Sequence, residues 1–173
     1  MDKPLILVVD DEKDVADDLA ETIADTKKYQ VLQASSGEQA LQIIEERNKG
    51  MLKRDKNKVK LVLLDIRMPG MDGIQTLEKI NEIDNKIGII MVTAYDLEEY
   101  WMKSMIGSEA MAFVTKPYDN NKVIQLIDDF FGGKEKEIAQ RYLNYFWQQP
   151  LIDQLKEVEA KVKSLEQEQK KID

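Results

Sequence analysis

With 173 residues the chain can bury one good core and leave a few tens of residues over, and its 43% hydrophobic and 34% charged residues strike a globular balance. A formal net charge of −8 removes any global attraction to phosphate backbones, so direct nucleic-acid binding is not expected. The absence of both cysteine and histidine excludes disulfides, thiol nucleophiles, histidine metal sites, Ser-His-Asp triads and an internal phosphohistidine donor.

The start, MDKPLILVVDDE, holds an apolar run from Leu5 to Val9 that reads as a buried strand and passes into acids without a signal-peptide pattern. Val15, Leu19, Thr22 and Ile23 then share one helix face. A second run, Gln30 to Ala34, precedes Ser35 to Glu38, whose spacing predicts a capping box opening a helix with Ala40, Leu41 and Ile44 inward. The segment RNKGMLKRDKNKVK, Arg47 to Lys60, holds seven Lys or Arg and one Asp, and reads as a solvated loop extension rather than a nucleic-acid or acidic-partner patch.

Strand and helix continue to alternate beyond it. The run Leu61 to Leu64 is followed by a helix face of Ile74, Leu77 and Ile80. Ile87 to Val92 is followed by Leu97, Tyr100, Trp101 and Met105, and Met111 to Thr115 by Val123, Ile127 and Phe130. Five near-continuous apolar runs, each leading into a helix, predict an α/β fold: a doubly wound, five-stranded parallel sheet covered on both faces. Gly132-Gly133 ends the fifth helix, which places one domain at 1–131 and a helical tail at 132–173.

In the tail, Ile138, Tyr142, Tyr145 and Phe146 recur at helical spacing before Pro150. Leu151, Leu155, Val158, Val162, Leu165, Gln169 and Ile172 then alternate spacings of four and three, which predicts a short coiled coil and a homodimer, the alternative being a single amphipathic helix that lies on the chain's own domain or links to an effector. No apolar run nears the ~20 residues that cross a bilayer, so a cytoplasmic protein without a membrane partner is expected.

Ligands of open α/β sheets bind at the carboxyl ends of strands, so the residues closing each run carry the most information. These are Asp10-Asp11-Glu12, Asp65, Thr93-Ala94 and Lys116-Pro117. Each has a plain structural use, as a helix cap, a turn former or a solvated charge. Together, clustered carboxylates need a cation, and oxygen donors without His or Cys favour Mg²⁺, with Mn²⁺ as the alternative. A carboxylate beside such a metal can attack phosphorus while a lysine neutralises the developing charge.

The pieces ILVVDDE, LVLLDIRMPGMDG, MVTA and FVTKP, in this order and spacing, closely resemble the receiver (CheY-like) domain of two-component response regulators over residues 4 to about 131. The resemblance implies that Asp65 is the phosphoacceptor, that Asp10, Asp11, Asp65 and the Arg67 backbone carbonyl ligate the metal, and that Lys116 binds the phosphate. It further implies Thr93 as switch hydroxyl, Phe113 as switch aromatic and a cis Lys116-Pro117 bond. The implied partners are a sensor histidine kinase or phosphotransfer protein upstream and a protein effector downstream. Such a chain is a switch that assists its own phosphorylation and dephosphorylation rather than an enzyme. Two departures concern the signalling surface: the turn Gly107 to Ala110 and the long loop from Arg47 to Lys60.

Two other functions compete. A haloacid-dehalogenase-like phosphatase would want an Asp two residues after its nucleophile on the first strand, where Asp10-Asp11-Glu12 offers a Glu, and no cap insert is evident. A phosphorylation-independent scaffold fits poorly with an intact acid cluster. Nothing after Gly133 resembles a winged helix, a nucleotide cyclase or a phosphodiesterase, so either a stand-alone receiver with a helical tail or a piece of a longer protein is expected.

Overall fold

An apolar run that ends abruptly in acids or glycine suits a strand with both faces covered. In the computed structural model, which describes residues 3–49, 57–93 and 112–142 together with 144, 148, 158 and 161, all five runs are strands. They are β1 (Leu5–Val9), β2 (Gln30–Ala34), β3 (Val59–Asp65), β4 (Gly88–Thr93) and β5 (Ala112–Thr115). All neighbours pair in parallel, in the order β2-β1-β3-β4-β5.

Four described helices connect or follow them: α1 (Lys13–Asp25), α2 (Gly37–Ile44), α3 (Gly73–Ile83) and α4 (Asn120–Phe131). Helix α1 packs beside α4 and α2 beside α3, so both faces are covered, as the doubly wound reading requires. The core is aliphatic, with Ile6, Leu7, Leu61, Leu63, Leu64, Ile89 and Ile90 fully buried. Each such side chain contributes about 1.5–3 kcal/mol of apolar burial. The strand order reverses between β1 and β3, where such sheets open a crevice at their carboxyl ends.

One local expectation needs correction. The cap of α2 is Ser36, not Ser35: Ser36 accepts a hydrogen bond from Gln39 N at 3.2 Å, and the Gln39 side chain accepts from Ser35 N at 2.7 Å. Glu38 lies one position too early to close a box on Ser36, and the Gln39 side chain reaches the N–H of Ser35 instead of the cap's own. Past α2 the chain widens into a π-helical turn, Glu45–Lys49. Buried Asn48 there mimics a strand partner. Its Oδ1 accepts from Val59 N at 3.0 Å, and its Nδ2 donates to Val59 O at 3.2 Å and to Asp84 Oδ2 at 3.0 Å.

The chain divides into two compact units, Met1–Glu135 and Lys136–Asp173. In the second, residues 136–142 are helical with Ile138 buried, and Val158 is helical and 59% exposed. The rest of the seam from Leu151 to Ile172 lies outside the described residues. So do Tyr145 and Phe146, the helix face of Leu97, Tyr100, Trp101 and Met105, and the turn from Gly107 to Ala110. Among the described residues no helix is long and apolar enough to cross a membrane.

Candidate functional site

Parallel pairing of β1 with β3 and β3 with β4 sets the ends of three strands side by side. Asp10 follows β1 and Asp65 closes β3, and both are buried. Local backbone fixes their aim. Asp10 Oδ1 accepts from Glu12 N at 3.0 Å and Asp65 Oδ2 accepts from Arg67 N at 2.8 Å. The turn-forming use foreseen for Asp65 is therefore real, whereas Asp10 binds the backbone ahead of α1 without capping it, the N-cap being Glu12.

Beneath Asp65 the start of α3 comes very close. A Cβ on Gly73 would lie 2.2 Å from the Asp65 carbonyl oxygen and 2.8 Å from Ile66 Cα, so only glycine admits this approach. Gly73 N donates to Ile66 O at 2.8 Å, and a capping box between Asp72 and Gln75 secures the turn.

Lys116, just past β5, reaches back between the two acids. Its Nζ lies 2.6 Å from Asp10 Oδ2 and 3.0 Å from Asp65 Oδ1. Burial pushes the Asp65 carboxyl up. Lys116 pulls it back, the Asp10 charge adds to the rise, and the net direction is upward. Burial alone would lower the Lys116 ammonium, but its hydrogen bonds to Asp10 and Asp65 prevail and raise it. The Lys116-Pro117 bond is cis, as the resemblance implied.

Asp11 is exposed, yet one oxygen each from Asp10, Asp11 and Asp65 lies within 4.8 Å of the others. Three anionic oxygen donors with the Lys116 ammonium among them, in a chain without His or Cys, fit a hard divalent cation. Thr93 closes β4 in register with Thr115 of β5, and its side chain is not among the described groups. Phe113 lies buried on β5 opposite Met91.

Sequence reasoning passed over the surroundings of Lys116. A recess of about 710 Å³ opens there, lined by Val15, Asp18, Pro117 and Tyr118 among others. Burial and the Asp18 charge raise the Tyr118 phenol. The only available signal was that the first turn of α1 and the segment after β5 both adjoin the acids.

The fold and the rim define an α/β module with an acidic, lysine-bearing site at the carboxyl ends of its strands, and comparison narrows this. The response regulator receiver domain family matches residues 6–128, and the chain belongs to that family as a receiver domain of two-component response regulators. It is 35% identical over 130 residues to the sporulation initiation phosphotransferase F of Bacillus subtilis, covering 75% of this chain and 94% of the relative. A solved receiver domain protein from Methanospirillum hungatei superposes with a TM-score of 0.65 at 28% identity, covering 78% of this chain and 98% of that one. The CheX-CheY-BeF3-Mg²⁺ complex from Borrelia burgdorferi matches with a TM-score of 0.61 at 31% identity, covering 74% and 89%. The matches to six other curated relatives span 33% to 58% of those proteins' own lengths.

Proposed function

We propose that this receiver accepts a phosphoryl group on Asp65 from the phosphohistidine of a sensor histidine kinase or phosphotransfer protein, and thereby changes a surface read by a protein effector. The observation that carries the proposal is the Lys116 ammonium held within 3.0 Å of both Asp10 and Asp65. Asp65 is the acceptor at the end of the central strand. One of its oxygens forms a bond to phosphorus as the donor's phosphorus–nitrogen bond breaks, and the bonding pair leaves with the donor imidazole. Lys116 neutralises charge gathering on the transferred oxygens. The recess beside Val15 and Tyr118 gives the donor room to approach.

Asp10, Asp11, Asp65 and the Arg67 carbonyl would hold Mg²⁺ or Mn²⁺, which supplies further charge neutralisation when bound. The donor set supports this, as does the likeness to a CheY solved with BeF3 and Mg²⁺. The new group adds about −1.5 to −2 charge and three acceptor oxygens, which Thr93 engages while Phe113 repacks. Intact-mass analysis after treatment with acetyl phosphate and Mg²⁺ tests the assignment. Wild type should gain one phosphoryl group and Asp65→Asn none. Equal labelling of the two sinks it.

A further inference from the structure

The strands begin at the opposite edge of the sheet, and that edge is basic. Lys3 precedes β1, Lys58 and Lys60 flank Val59 at the start of β3, and Lys86 precedes β4, so parallel pairing must gather them. With Phe130 and Phe131 from the end of α4 they line an open recess of about 540 Å³. Among its described lining residues Glu135 is the single carboxylate.

Its aromatic floor is fixed. Phe131 stacks on Tyr29 with ring centroids 5.1 Å apart and meets Phe130 edge-on at 4.9 Å. Gly88 makes room for Phe130, since a Cβ there would lie 2.6 Å from the ring. Nearby acids on α4 are already engaged: Asp128 with Lys28 and Tyr29, and Asp129 with Lys134. Among the described residues no carboxylate pairs with the ammonium group of Lys3, Lys58 or Lys86.

We infer that this recess docks a short acidic segment of a partner protein, with an apolar side chain against Phe130 and Phe131 and carboxylates on either side facing the lysines. Charge complementarity names the occupant, because a net-acidic chain concentrates four lysines round two rings. The open shape suits an extended segment better than a small molecule, which needs most of its surface enclosed. A net charge of −8 repels a long polyanion such as nucleic acid, whose phosphates would extend past the recess. Two of these lysines belong to the basic connection, so part of it does more than remain solvated.

Fluorescence anisotropy of the full chain tests this. The probe is a labelled hexapeptide with two acidic residues on each side of a leucine and a phenylalanine. Lys58→Gln with Lys86→Gln should weaken its binding about five- to thirtyfold, as expected for two partly screened charge pairs. Lys58→Glu with Lys86→Glu should reverse the preference toward a peptide in which lysines replace the acids. Phe130→Leu should weaken binding while circular dichroism reports an unchanged fold. No binding by wild type at a few hundred micromolar, or indifference to the charge variants, overturns the inference. Displacement of the peptide by pyrophosphate, by an oligonucleotide or by unlabelled chain at equal or lower concentration overturns it too, and assigns the recess to that competitor.

Discussion

At the carboxyl edge of the sheet three carboxylates crowd round one ammonium, whereas at the amino edge four ammonium groups stand round two phenyl rings. Both clusters follow from parallel pairing, which collects every strand end of one kind on one side. Burial separates them. The side chains of Asp10, Asp65 and Lys116 are 5%, 7% and 12% exposed, so their charges act on one another through little water. Lys3 and Lys86 are exposed and Lys58 is half-buried, so salt and water screen them. Changes at the carboxyl edge should be large and non-additive, and those at the amino edge smaller and closer to additive.

The sharpest way to break this contrast is to remove the shared ammonium. Lys116→Met takes away the cation that, among the described residues, both buried acids contact and that the proposed transfer needs. Phosphoryl labelling by acetyl phosphate should fall on the order of 10²-fold or more, the scale typical of losing one preorganised charge-stabilising group. Quantitative mass spectrometry over time measures this. A fall of only two- or threefold would mean that the carboxyl edge is as well screened as the amino edge.

A neutral group holds the amino edge together, which gives a second test. Asn48 satisfies both polar groups of Val59 at the start of β3. Asn48→Ala leaves a buried N–H and C=O without their partner, at about 1–3 kcal/mol for each group. Urea unfolding should show a loss of about 2–6 kcal/mol with an unchanged slope. A loss under about 0.5 kcal/mol would show that the clasp is ornamental and that the connection is held by its other contacts.

The two edges were not equally legible in the sequence. All five strands and the three acid- or lysine-bearing strand ends could be read because apolar runs mark strands and parallel topology aligns their ends. Asn48 could not, since its partner is eleven residues away across a basic, loop-like stretch. Ser35 and Ser36 are equivalent by composition, so the cap of α2 slipped by one residue. The lysines of the recess are scattered over positions 3, 58, 60 and 86, and only the strand order brings them together. Tyr118 escaped notice for a similar reason, because its relation to Asp18 depends on how α1 lies beside the end of β5.

The smallest expected effect comes from the latch that ties the turn after α1 to the end of α4. Tyr29 OH donates to Asp128, and Lys28 donates to the same carboxylate at 2.7 Å. Partial burial tends to raise the Asp128 carboxyl, but the bonds from Lys28 and Tyr29 outweigh it and hold the group below the usual carboxylate range. A carboxyl depressed in the folded state adds stability above its unfolded value near 4, and that stability is lost as pH falls through the lowered folded value. The pair with Lys28 is largely solvent-exposed, so screening keeps the contribution small. Tyr29→Phe keeps the stack on Phe131 and removes one hydrogen bond, which should cost about 0.5–1.5 kcal/mol at neutral pH. Asp128→Asn should lower stability at pH 6, and its difference from wild type should close as the pH falls through and below the usual carboxylate range. Paired urea titrations at several pH values follow this directly. A difference that persists unchanged at low pH would show that shape or hydrogen bonding by the amide, rather than the charge of Asp128, holds the latch.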